Sequence, residues 1–134
     1  MNIRRSVFVS IALAAVFGAF TLTIAPLQAA DKAGSVAAVY RAKETAEFKK
    51  LAKETIEALA AGKTTEMVAK LTDLETIWDE KEKSLKPKNE VTWTTIDKTL
   101  DKAISALRSS KVNLKKGKTA LEDLLKMLDQ ATKS

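Results

Sequence analysis

Apolar residues recur every three or four positions through residues 35–130, and this period constrains the fold more than any other feature of the chain. It places the apolar side chains on one face of an α-helix, and that face must be buried against other helices. Breakers are few: Gly34, Gly62, Pro87 and Gly117. The strongest turn signals are Ala61-Gly62-Lys63-Thr64, Lys86-Pro87-Lys88-Asn89 and Ser109-Ser110-Lys111-Val112-Asn113. They separate four helical segments, at about residues 35–61, 65–85, 90–108 and 114–130. Only 4 glycines and 2 prolines occur in 134 residues, which argues against a turn-rich all-β protein.

The ends of these segments carry local signals. Gly62 suits the left-handed conformation that closes a helix. Thr64 reads as the next N-cap, with Glu66 in the first turn where the helix dipole favours an anion. Pro87 disfavours helix at Lys86, and Asn89 and Asn113 read as N-caps of the third and fourth segments. The first stripe is Val36, Val39 and Tyr40, then Phe48, Leu51, Ala52, Ile56 and Leu59. It weakens where Glu44 and Glu47 intrude, so its first turns are expected to fray or to form a separate arm.

The second stripe is Met67, Leu71, Leu74, Trp78 and Leu85, and the third is Trp93, Ile96, Leu100, Ala103, Ile104 and Leu107. Leu114, Leu121, Leu124, Leu125 and Leu128 form the fourth, with Gly117 on the same face. That glycine marks either a close approach of a neighbouring helix or a loosened first turn. Short loops between amphipathic helices give antiparallel neighbours. The expected fold is therefore all-α, an antiparallel up-down-up-down four-helix bundle in one domain, residues 30–134, with the last three helices best specified. Its core is expected to hold Trp78, Trp93, Leu71, Leu74, Ile96, Leu100, Leu121 and Leu124. Trp78 should face Ile96 and Leu100, and Trp93 should lie near Leu85 and Lys81. An imperfect first helix also leaves room for a homodimer to complete the core.

The N-terminus has a different character. Arg4 and Arg5 precede an uncharged run from Ser6 to Ala25, which is followed by Pro26 and the small residues Ala29 and Ala30. This is the layout of a secretory signal peptide over residues 1–29, cut after Ala29 or alternatively Ala30. An uncleaved anchor is the competing reading, since twenty uncharged residues can just span a bilayer. Cleavage predicts a periplasmic or secreted mature protein that does not span the membrane. Loss of Arg4 and Arg5 lowers the formal charge from +6 to +4, with 21 basic against 17 acidic residues.

Residue types that are missing remove whole classes of chemistry. Without cysteine or histidine there is no disulfide, thiolate zinc site or imidazole ligand. No cofactor is expected, and serine or threonine nucleophiles have no histidine base. Gly62-Lys63-Thr64-Thr65 looks like the end of a phosphate-binding loop, but position 57 is Glu57 where that loop needs glycine, and a helix precedes it instead of a strand. Met67 and Met127 read as core residues. Glu75 with Asp79, and Asp97 with Asp101, are carboxylate pairs four residues apart on helix faces. On facing helices they could hold a divalent cation or act in hydrolysis. The bland reading is a salt-bridged solvated surface.

Lysine supplies 19 of the 23 basic residues. Arginine-poor charge of this kind suits diffuse attraction better than bidentate recognition. Lys49, Lys50, Lys115, Lys116 and Lys118 are candidate contacts to an anionic envelope surface. Nucleic-acid binding is not expected, because aromatic residues are few and both tryptophans fall on core stripes. The leading expectation is a non-enzymatic binding or accessory module in the bacterial periplasm, with an envelope protein or an anionic envelope component as partner. The alternatives are a lysine-rich protein held electrostatically on anionic surfaces, and a carboxylate-based cation binder or hydrolase.

Overall fold

The computed structural model describes residues 36–134, so the expected signal peptide lies outside the described residues. Those residues are all-helical. Four helices follow one another: α1 (Ala42–Ala60), α2 (Thr64–Leu85), α3 (Glu90–Arg108) and α4 (Leu114–Ala131), with a short 3₁₀ turn at Lys86–Lys88. Among the described residues the only β-type pairing is a single bridge between Tyr40 and Thr132.

The first helix starts seven residues later than its stripe suggests. Residues 36–40 form the separate arm that the weakened stripe allowed, and its backbone groups bond elsewhere. The N–H groups of Val39 and Tyr40 both donate to the Ala131 carbonyl at 2.9 Å, and Lys133 N–H donates to the Tyr40 carbonyl at 2.8 Å. Ala37 N–H donates to Thr92 Oγ1 at 2.9 Å. The arm thus ties the end of α4 to the start of α3. It buries Tyr40 completely and half-buries Val36 and Val39. The apolar stretch that resembled a first helical turn is therefore buried by the arm.

Arg41 then caps α1, and the Glu44 carboxylate accepts the Arg41 backbone N–H at 2.9 Å. The same carboxylate accepts from the Lys88 ammonium at 2.6 Å and the Arg41 guanidinium at 2.9 Å. These bonds, the one from Lys88 foremost, hold the Glu44 carboxyl down at about 2. A charge that interrupted the apolar stripe thus joins the start of α1 to the turn before α3.

The α1–α2 turn closes as a Schellman motif. Lys63 N–H donates to the Ala58 carbonyl at 2.9 Å and Gly62 N–H to the Leu59 carbonyl at 3.2 Å, with Gly62 at φ 70°. Because Lys63 completes that motif, it and not Thr64 is the N-cap of α2, whose first residue is Thr64. Asn89 Oδ1 accepts the Thr92 N–H at 2.8 Å, and Asn113 Oδ1 accepts the Lys116 N–H at 2.9 Å, so both asparagines are N-caps.

Helices adjacent in sequence pack together, and α1 also packs on α4, so the contacts close a ring. Leu71, Leu74 and Trp78 of α2, Trp93, Ile96 and Leu100 of α3, and Leu121 and Leu124 of α4 are all buried in the centre. Phe48, Met67 and Leu128 join them. Leu114 departs from its stripe and is exposed, because it opens α4 a full turn beyond the packed face. Met127 is half-buried and accepts a bond from Thr99 Oγ1 at 3.2 Å.

The α3–α4 contact is the tightest. A Cβ built on Gly117 would overlap the Leu107 side chain. The first turn of α4 is regular there, with Gly117 N–H donating to the Asn113 carbonyl at 2.9 Å. Gly117 therefore marks a close helix approach. The α2 and α3 backbones come close more sparsely, because two indoles fill the space between them. Cross-helix ion pairs link the outer faces: Lys70–Glu54 at 2.8 Å, Lys49–Asp129 at 2.7 Å and Arg108–Glu75 at 2.5 Å. Lys70 holds the Glu54 carboxyl below its usual range. No helix among the described residues is long and apolar enough to cross a membrane.

Candidate functional site on the basic face of α3 and α4

From Lys102 to Leu121 the sequence has six basic residues and no acidic one. This stretch covers the end of α3, the turn and the start of α4. Small side chains on the facing helix surfaces leave an open groove beside it, of about 1150 Å³. Thr99, Ala106, Ala120 and Met127 form its floor. Lys98 and Lys102 rise from α3, Lys111 from the turn, and Lys115 and Lys116 from α4, with Asp101 and Asp123 as the acids on the same lining. A smaller opening shares Lys98, Thr99, Lys102 and Met127 and continues the groove to Val91.

These lysines are set apart by lining one groove. Among the described residues, none of Lys98, Lys102, Lys111, Lys115 or Lys116 has a carboxylate within ion-pair distance. Lys43, Lys53, Lys81, Lys83, Lys126 and Lys133 also have no ion pair among the described residues but do not line it. The five lysines singled out from sequence divide accordingly. Lys49 is engaged by Asp129 across the bundle, Lys50 lies 3.8 Å from Glu54, and Lys118 lies 3.7 Å from Glu122. Only Lys115 and Lys116 reach the groove. Lys98, Lys102 and Lys111 join them because the hairpin brings two helices together. The acid-free stretch was the available sequence signal for Lys102 and Lys111.

Electrostatics makes the start of α4 unusual. The first turns of α1, α2 and α3 contain Glu44, Glu66 and Glu90, whereas α4 has no acid there and carries Lys115 and Lys116. Cations at the positive end of a helix dipole are unfavourable.

No protein-family model matches the chain, and no curated protein or solved structure is significantly similar to it. The reading of the site therefore rests on its own chemistry.

The carboxylates offered as a cation or catalytic set are not gathered. Glu75 is held by Arg108 at 2.5 Å, and Asp97 accepts the Trp78 ring N–H at 2.8 Å. Among the described residues no three His, Cys, Asp or Glu side chains come together as metal ligands. What the groove does offer is a row of ammonium donors above a floor of methyl, methylene and hydroxyl groups. That combination suits an elongated anionic ligand.

Proposed function

We propose that this protein is an exported up-down-up-down four-helix bundle that works in the bacterial periplasm as a non-enzymatic binding or accessory module. Its partner is anionic and lies along the α3–α4 face. The row of five lysines along one groove, without carboxylate partners among the described residues, carries this reading. The ring of helix contacts supports the bundle topology. The basic, apolar and small-residue order of residues 1–29 supports export and a mature protein beginning near Ala30.

The test uses protein purified from an exporting host. Intact mass locates the N-terminus. Titration with polyphosphate, followed by amide shifts in nuclear magnetic resonance, should move Lys98, Lys102, Lys111, Lys115 and Lys116 together. Shifts spread evenly over all lysines would defeat the assignment of the face. Reproducible turnover of an envelope substrate would defeat the non-enzymatic part.

A further inference from the structure

We infer that the tip of the α3–α4 hairpin docks on the anionic headgroups of a lipid bilayer. The inference rests on the binding-module reading above and names its partner.

Two large aliphatic side chains stand out at this tip. Val112 is 50% exposed and Leu114 53% exposed, and Lys111, Lys115 and Lys116 surround them in sequence. An isolated exposed leucine is ordinary. Two aliphatic groups set among three lysines without ion-pair partners among the described residues form a two-part surface, and each part calls for a different neighbour. The ammonium groups call for phosphates. The isopropyl and isobutyl groups call for a medium less polar than water.

A soluble polyanion satisfies only the first demand. The interface of an anionic bilayer satisfies both, with phosphates at the level of the lysines and the acyl boundary just beneath. Position in the fold favours the same partner. The tip lies at the end of the bundle shared with the α1–α2 turn, so it can meet a flat surface end-on. Glu57 and Glu66 flank the α1–α2 turn at this end, with Glu66 paired to Lys63 at 3.2 Å, so the basic contact is the α3–α4 side of the end.

The experiment is co-sedimentation of the protein, purified from an exporting host, with vesicles of phosphatidylglycerol and phosphatidylcholine in equal parts. Vesicles of phosphatidylcholine alone are the control. Two variants share whatever N-terminus processing leaves. One is Lys111→Gln with Lys115→Gln and Lys116→Gln; the other is Val112→Ser with Leu114→Ser. All five positions are exposed, and circular dichroism checks that both variants keep native helicity.

Binding should occur on the anionic vesicles only and weaken at high salt. It should fall roughly a hundredfold in the lysine variant, at about fivefold per charge, and roughly tenfold in the aliphatic variant. Equal binding to both vesicle types, or full binding by either variant, overturns the inference. Binding of polyphosphate without binding of vesicles also overturns it, while the binding-module reading stands. Failure to bind either probe removes both.

Discussion

Trp78 of α2 and Trp93 of α3 lie face to face, with ring centroids 3.7 Å apart and planes 5° from parallel. So short a separation leaves little lateral offset, an arrangement that ring quadrupoles alone disfavour. Burial and dispersion hold it, together with two flanking contacts. Phe48 of α1 presents its edge to Trp78 at 5.1 Å and 70°. Asp97, one turn after Trp93 on α3, accepts the Trp78 ring N–H. One side chain of α2 is thus fixed by α1 on one side and by two consecutive turns of α3 on the other.

That geometry predicts an asymmetric mutational response. Asp97→Ala strands an indole N–H inside the core and should cost about 1–3 kcal/mol. Asp97→Asn keeps an acceptor and should cost less. Trp78→Ala removes the whole ring and should cost about 3–5 kcal/mol. Urea unfolding followed by circular dichroism ranks the three. An Asp97→Ala midpoint equal to that of the parent would mean that water reaches the indole nitrogen.

Gly117 gives a second case in which two effects oppose. Alanine inside a helix normally gains about 1 kcal/mol over glycine. Here the added methyl meets both Leu107 Cγ and its terminal methyls, so the entire buried side chain must move. Overpacking of this kind costs about 1–3 kcal/mol. Gly117→Ala should therefore destabilise the protein on balance. In a Leu107→Ala background the same change should become neutral or favourable. Thermal unfolding of the four-member cycle measures the coupling, and a coupling near zero would show that α3 and α4 separate freely.

Much of this was legible because it is local. The asparagine caps and the Gly62 turn depend on residues three or four apart, and sequence displays those directly. The arm was harder. The spacing of Val36, Val39 and Tyr40 fits a helix face, and the Ala131 carbonyl and Thr92 hydroxyl that draw the segment out are dozens of residues away. The core position of both tryptophans is readable from their stripes, and Ile96 and Leu100 are buried in the same cluster as Trp78. The stacking on Trp93 and the bond to Asp97 are not readable, because they depend on how far an indole reaches along its neighbour. At the candidate site, Lys115 and Lys116 were visible as a basic run. Lys50 with Glu54 and Lys118 with Glu122 are four apart and equally visible, whereas the Lys49–Asp129 pair depends on the fold bringing α1 against α4.

The chain has 1 tyrosine, so its ionisation can be followed alone. Burial, with help from the Glu44 charge, pushes the Tyr40 hydroxyl from 10.0 up to about 12. The neutral phenol is therefore favoured in the folded state. Its contribution to stability is complete below pH 10.0, where the unfolded phenol begins to ionise, and is lost as the pH climbs through about 12. Ultraviolet titration should show a delayed phenolate signal in the native protein and an ordinary one in urea. Tyr40→Phe should remove this alkaline dependence. Near neutral pH it should cost little, since the buried hydroxyl makes no hydrogen bond among the described residues. A native titration midpoint near 10.0 would mean that the arm opens before the ring ionises.

Lys115 and Lys116 should separate stability from binding. Both stand in the first turn of α4, where no acid offsets the helix dipole. Lys115→Glu with Lys116→Glu replaces repulsion by attraction and should raise stability by about 0.3–1 kcal/mol per site at low ionic strength. Affinity for an anionic partner should fall in the same variant, because the groove loses two of its donors and gains two opposing charges. Urea midpoints and polyphosphate titrations on one preparation read both quantities. Surface lysines with no role in binding would raise the midpoint while leaving the titration unchanged. A lower midpoint would show that the two side chains make contacts that outweigh the dipole. The opposed result, greater stability with weaker binding, is expected where a local electrostatic rule is broken at a site that must hold an anion.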